Sequence, residues 1–351
     1  MGNKILKGVT PMTERKSPTM NEWKALYQAA EEFKKVAPWQ WLWDADLICV
    51  KNPEDGITGY CSIMGRGGEH LALGVYLGDN GIRGFYDMLE GAENIPGHEI
   101  VHLQDCIICS FDDREFVEKD DMKIIKELGL KYRGKNEWPV FRRFEPGYYP
   151  WYISSEECRF LTVALQQALI IAIGIKKGTV VIDAENGVTV MRSINKDTEE
   201  WESSNMELFV PAVSIAPTKI DNDILIKKLS KLQKHRNTAI EVGITYMPTP
   251  VRDNEDRPYF PKLFIAADAN AGAILKCEVF RNIDDNGATI INKLTEMFME
   301  SGLPSSIYLK NDKETAIIGD LCDKIGVNIK VKPTLIVIDE LINAMSEDMG
   351  M

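Results

Sequence analysis

The sequence predicts an α+β N-terminal domain built on an antiparallel sheet, followed by an α/β C-terminal domain on a mixed sheet. Three observations predict it. Short apolar runs separated by strong turn signals recur between residues 46 and 76. A long segment from Ser154 to about Ile173 is apolar nearly all the way round, as a buried helix is. After about residue 260, strand and helix patterns follow in the order β-β-α-β-α-β-α, an arrangement in which helices cover a sheet.

Residues 1–19 read as a polar lead-in punctuated by Pro11 and Pro18. Thr19-Met20-Asn21 then offers a cap, and Trp23, Leu26, Tyr27, Ala30 and Phe33 recur at helical spacing up to Pro38. After the aromatic block Trp39–Trp43 come three strand patterns, Asp46–Val50, Thr58–Met64 and Leu71–Tyr76. The turns between them are Asn52–Gly56 and Gly65-Arg66-Gly67-Gly68. A helix is expected from Asn80 to Glu90, a strand over 100–111 and a short helix over Asp120–Leu128. Glu137–Phe144 reads as an edge strand. Two prolines and a glycine exclude regular structure from Glu145 to Tyr152. Ser154-Ser155-Glu156-Glu157 has the spacing of a capping box for the long helix. Thr179–Asp183 and Val188–Ser193 read as a hairpin around Glu185-Asn186-Gly187.

The polar stretch 195–206 reads as a boundary, giving domains over 1–195 and 205–351. Beyond it a helix is expected over Asn222–Lys234 and a strand over Glu241–Met247, with Asp253–Asp256 as a charged loop. Strands Lys262–Asp268 and Ala273–Phe280 flank a turn at Asn270-Ala271-Gly272. Helix Ala288–Ser301, strand Ser306–Lys310, helix Lys313–Ile325, strand Asn328–Lys332 and helix Leu335–Met345 complete the domain.

Charge and cysteine content narrow the function classes. The 351 residues hold 41 Lys and Arg against 53 Asp and Glu, a net charge of −12. That balance opposes a general nucleic-acid or anionic-membrane binder, both of which need a basic surface. Seven cysteines, an odd number, show no secreted disulfide spacing, and the polar start lacks an apolar signal core. The expectation is a soluble cytoplasmic protein without a membrane span.

His98-Glu99-Ile100-Val101-His102 matches HExxH, which on a helix sets two imidazoles on one face for zinc with the Glu as base. The β-branched neighbours favour a strand instead, where His98 and His102 stand about 13 Å apart. Cys106 and Cys109, three apart in that strand, point to opposite faces and read as small buried hydrophobes.

Asp268 ends one strand and Asp312 follows another. This pattern, over roughly residues 260–346, resembles the ribonuclease H-like core of transposases and retroviral-type integrases. In that family a first-strand Asp and an Asp at the end of a later strand bind Mg²⁺ or Mn²⁺, with a third acid from a following helix. The resemblance assigns these places to Asp268, Asp312 and Glu340, which implies a metal-dependent phosphodiester hydrolase. It departs from the family after Asp312, where Lys313-Glu314 replaces the usual Asn-Gly, and Asn311 is an equal candidate for the aligned position. The upstream strand Glu241–Met247 is needed to complete the sheet. The alternative is that Asp268 serves a turn and Asp312 caps a helix. From Val251 onward, 11 Lys and Arg stand against 17 Asp and Glu, a net of −6 that opposes nucleic-acid chemistry.

Across most of its length the chain also resembles a bacterial family built from two domains of unknown function. Trp41-Leu42-Trp43-Asp44, Gly59–Gly65, Trp138-Pro139, Pro146–Trp151, Arg257–Pro261 and the Asp268–Gly272 turn carry this resemblance. It implies no activity. Two physical readings of the aromatic segments stay open. Trp41, Arg143, Tyr148 and Trp151 form a ligand groove, with the glycine loop at Arg66 presenting amides to an anion, or the same rings pack a core. The expectation is a non-catalytic binding or interaction protein with no cofactor, its partner a protein or small ligand. A hydrolase using Mg or Mn and a zinc hydrolase are the alternatives.

Overall fold

The computed structural model describes residues 15–91, 97–211, 217–235, 237–253, 257–281 and 286–348. Most of the polar lead-in and residues 254–256 of the charge run lie outside them. The chain forms two compact units, Met1–Pro146 with Pro150–Pro211, and Gly147–Tyr149 with Ala212–Met351.

The first unit opens with helix α1 (Met20–Val36), where Thr19 and Glu22 form a reciprocal capping box. Trp23, Leu26, Tyr27, Ala30 and Phe33 are buried along one face, each large side chain stabilising by about 1.5–3 kcal/mol. Ala37 takes a left-handed conformation (φ 55°) and Pro38 follows, so the helix stops. Next come β1 (Ile48–Lys51), β2 (Thr58–Met64), β3 (Ala72–Leu77), α2 (Gly78–Gly91), a single turn α3 (Gly97–Ile100), β4 (Cys106–Asp112), α4 (Lys119–Glu127) and β5 (Trp138–Phe144). Helix α5 (Ser155–Lys176) and strands β6 (Val188–Ile194) and β7 (Trp201–Glu207) complete the unit.

The sheet runs β5-β4-β3-β2-β1-β6-β7. It is mixed where an antiparallel sheet is expected, because β1 and β6 pair in parallel. Period-two alternation sends Ile107 and Cys109 to the face covered by α1 and α5, and Cys106 and Ile108 to the face covered by α2. Helix α5 is long and apolar enough to cross a membrane by length and composition, yet much of it is packed inside this core. Gly59 allows that packing, since a Cβ there would lie 2.7 Å from the Phe160 ring.

Three expectations need correction. The strand over 100–111 starts only at Cys106, because its partner β3 ends at Leu77, where the chain turns into α2. Of the expected hairpin, the described residues show a single Asp183–Val188 bridge at a short turn, and β6 pairs with β1 and β7 instead of a 179–183 arm. The polar stretch 195–206 contains β7, whose largely exposed residues hide the strand from a hydrophobicity pattern.

The second unit holds α6 (Asp223–Leu229), β8 (Ala239–Tyr246), β9 (Lys262–Asp268), β10 (Ile274–Phe280), α7 (Asn286–Ser301), β11 (Ser306–Leu309), α8 (Asp312–Ile325), β12 (Asn328–Val331) and α9 (Ile336–Asp348). Its sheet runs β10-β9-β8-β11-β12. The first three strands form an antiparallel meander, and β11 and β12 join parallel to β8. Ile240, Val242 and Phe264 face α7 and α8, while Leu263, Ile265 and Ala267 face α9. β8 is the central strand of this mixed sheet and comes first of the five in the chain.

Candidate functional site

The first strand of this sheet is β8, not β9, and that moves the acids. Asp268 closes β9 opposite Ile240, at the start of β8. Its Oδ1 accepts the Asn270 and Ala271 N–H groups at 2.8 Å each, so it builds the turn. Asp312 is the exposed first residue of α8, and Asn311 caps that helix by accepting from the Glu314 N–H at 3.0 Å. Carrying the parallel register of Ser306 with Ala239 past Leu309, where β11 ends, sets Asp312 near the level of Thr245, in keeping with the Glu314 carboxylate on the Ile244 N–H. It therefore lies five residues along β8 from the level of Asp268, about 16 Å at ~3.3 Å per residue. Two metal ions ~4 Å apart do not bridge that gap. Glu340 is exposed on α9. Asp268 and Asp312 are not brought together, and this set does not fit a two-metal centre.

A different set meets where the first strand, the end of β11 and the following helix converge. Glu241 on β8 is buried, and its Oε2 accepts the Val337 and Ile338 N–H groups at 2.9 and 3.2 Å. It caps α9 from a neighbouring strand. Lys310 follows β11, and its Nζ lies 3.2 Å from Asp339 Oδ1. Asp339 Oδ2 also accepts the Leu335 N–H at the start of α9 (3.0 Å). Glu314 is buried and accepts the Lys310 and Ile244 N–H groups at 2.7 and 3.1 Å. Burial raises the Glu314 carboxyl above its ordinary value, against the pull of these backbone donors. Each acid thus has a backbone donor, and a lysine stands among them. Gly243 leaves room for α9, since a Cβ there would lie 3.1 Å from Ile338 Cδ1.

The HExxH segment is not a strand. Its first residues form the single turn α3, and His102 lies beyond that turn, its N–H donating to the Glu99 carbonyl at 3.0 Å. The His98 side chain lies outside the described residues. Among the described residues no three His, Cys, Asp or Glu are grouped to hold a metal ion. Cys106 and Cys109 are buried on opposite faces of β4, and burial pushes the Cys106 thiol up to about 12.

The groove residues are dispersed. Arg143 is buried and paired with Asp105 and Glu157, tying β5 to the chain before β4 and to α5. Trp41 Nε1 donates to the Ala172 carbonyl near the end of α5 (3.0 Å), whereas Trp151 precedes its start and bridges Arg143. Ser155 to Ala172 spans about 26 Å of helix. Tyr148 pairs with Tyr259 in the second unit, under the Arg257 guanidinium.

Another cluster forms around Trp41. The Arg66 guanidinium from the glycine loop lies 4.2 Å from the Trp43 ring centre and donates to the Trp41 carbonyl. Lys176 Nζ lies 4.1 Å from the Trp41 ring centre. Trp43 is 53% exposed, unusual for a tryptophan. A separate hollow of about 340 Å³ is lined by Glu31, Lys34, Phe111, Tyr132 and Glu137. Lys34 there pairs with Glu137, and the Tyr132 hydroxyl donates to Glu31.

Residues 23–192 match the family model of a domain of unknown function, DUF7309, and residues 225–346 match that of a second, DUF6930. The two matched regions follow one another along the chain. No curated protein matches it. Among solved structures, the magnesium-bound HTLV-2 integrase catalytic core domain in its dimeric form is 12% identical, with a TM-score of 0.24 over 30% of this chain and 66% of that one. The intasome of simian T-cell lymphotropic virus in complex with PP2A regulatory subunit B56 gamma is 14% identical, with a TM-score of 0.23 over 33% of this chain and 43% of that one. The chain therefore spans just under two thirds of the first of these and less than half of the second. In these terms, the acid cluster lies in the DUF6930 domain and the Trp43–Arg66 cluster in the DUF7309 domain.

Proposed function

We propose that this is a non-catalytic binding protein of the cytoplasm, in which the DUF6930 domain keeps a ribonuclease H-like outline without hydrolysis. The observation that carries this reading is the Lys310–Asp339 ion pair at the end of β11. A two-metal hydrolase needs carboxylates there to neutralise two cations, and an ammonium group opposes them. The neighbouring acids cap helices and loops. Support for binding comes from the exposed Trp43 under Arg66, the residue types that dominate protein contact energies. The partner is a protein, since the net charge of −12 disfavours nucleic acid.

The test has two arms. DNA and RNA oligonucleotides incubated with the protein and Mg²⁺ or Mn²⁺ should remain intact. Partner capture should depend on Trp43→Ala and Arg66→Ala but not on Lys310→Ala. Metal-dependent cleavage lost in Asp312→Asn would restore the hydrolase reading.

A further inference from the structure

Strand β10 is an outer strand of the second unit's sheet, and among the described residues no strand pairs with its free side. Ile274, Leu275 and Val279 are 41%, 47% and 56% exposed, and Cys277 is exposed between them. An exposed apolar edge is a template for another strand, and proteins ordinarily blunt such edges. The other outer strands are blunted. In β7 the residues are Trp201-Glu202-Ser203-Ser204-Asn205-Met206-Glu207, largely polar. Strand β12 has four residues and carries Lys330. Strand β5 pairs on its outer side with Trp151.

The order of residues in β10 names the occupant of its edge. Cys277 is the midpoint of Ile274–Phe280, and the sequence is complementary to itself when reversed about that residue. Antiparallel pairing of two copies sets Lys276 opposite the partner's Glu278 and Glu278 opposite the partner's Lys276. It sets Leu275 against the partner's Val279 and Ile274 against the partner's Phe280. Opposite charges and apolar pairs directly across a ladder both stabilise it. The ladder to β9 is regular from Lys276 to Phe280, and its one irregularity lies between Ile274 and Lys276. The charged centre is therefore undistorted. Lys276 and Glu278 are held in place by Glu296 and Lys293 of α7, at 3.0 and 2.5 Å, so their heads are already oriented on one face.

We propose that two copies of this chain associate through β10, antiparallel about a two-fold axis at Cys277, joining their five-stranded sheets into one. The axis brings Cys277 opposite the partner's Cys277. Directly opposed residues of antiparallel strands have Cα atoms ~4.5–5.5 Å apart, within the ~4.4–6.8 Å a disulfide spans. The contact is independent of the reading above, because a catalytic DUF6930 domain would present the same edge.

The full chain, reduced, should sediment as a dimer at high concentration and dissociate on dilution. Lys276→Glu and Glu278→Lys alone should each give a monomer, and the two together should restore the dimer. Val279→Lys, at an exposed position away from the α7 ion pairs, should also give a monomer and serves if a charge swap disturbs folding. Diamide, which takes up the two thiol hydrogens, should link wild-type copies through Cys277, whereas Cys277→Ser should stay unlinked yet dimeric. A wild-type monomer at every concentration overturns the proposal. So does a dimer that Val279→Lys leaves intact.

Discussion

Replacing Glu241 tests whether the acids of the DUF6930 domain hold the fold. Its carboxylate accepts two N–H groups at the start of α9, at 2.9 and 3.2 Å, and one of the bonds is fully buried. Hydrogen bonds to a charged group contribute about 1.5–3 kcal/mol each, and a donor left buried without a partner costs a similar amount. One oxygen serves both donors, so the lower end applies, and Glu241→Ala should cost about 3 kcal/mol. Glu241→Gln keeps an acceptor but loses the charge at the helix N-terminus, which should cost about 1 kcal/mol. All seven tryptophans lie in the first unit, so their fluorescence reports that unit, while hydrogen exchange across Ile336–Ile342 reports α9. The expectation is faster exchange in α9 with little change in the tryptophan transition. A cost for Glu241→Ala below about 0.5 kcal/mol, the range of an ordinary surface change, would refute the capping role.

Three further outcomes follow. Gly84→Ala would place a Cβ 1.8 Å from the Leu103 carbonyl oxygen, and thermal unfolding should show a loss of at least about 3 kcal/mol, whereas Gly67→Ala, in open space, should change little. Burial raises the Glu22 carboxyl, but hydrogen bonds from Ser155, the Thr19 N–H and Arg159 outweigh it and hold the group at about 2. Its contribution is present above the unfolded value of ~4.3 and is lost as pH falls towards about 2, so denaturant titrations should show an acid limb that Glu22→Gln flattens. Native thiol titration in dilute solution should find one fast cysteine, Cys277, and six that react only on unfolding.

Much of the fold is legible in the sequence because local signals agree with the packing. Thr19 and Ser154 cap the two helices that cover one face of the first sheet, and both capping boxes are written in the residues. Strands Thr58–Met64 and Lys262–Asp268 lie where alternation and turn residues place them. The failures have physical causes. Strand β7 is exposed and polar, so its pairing with β6 leaves no hydrophobic trace. The α3 turn is set by where β3 ends, a long-range fact absent from residues 97–105. The acid cluster depends on which strand comes first in the sheet. The Ala239–Tyr246 pattern is visible, and taking it as the first strand points to Glu241 rather than Asp268. The Lys310–Asp339 pair joins residues distant in sequence, so spacing gives no sign of it. Trp41 and Arg66 meet only because the β2–β3 turn folds back over the aromatic block.

On the proposed reading, the DUF6930 acids build structure and do not gather metal. Thermal unfolding of EDTA-treated protein, with and without Mn²⁺ or Mg²⁺, separates the two roles. A metal bound only by the folded state at 100 times its Kd adds about 2.7 kcal/mol, an obvious shift. The transition should be the same with and without either metal. A Mn²⁺-dependent rise abolished by Asp268→Asn or Asp312→Asn would contradict it.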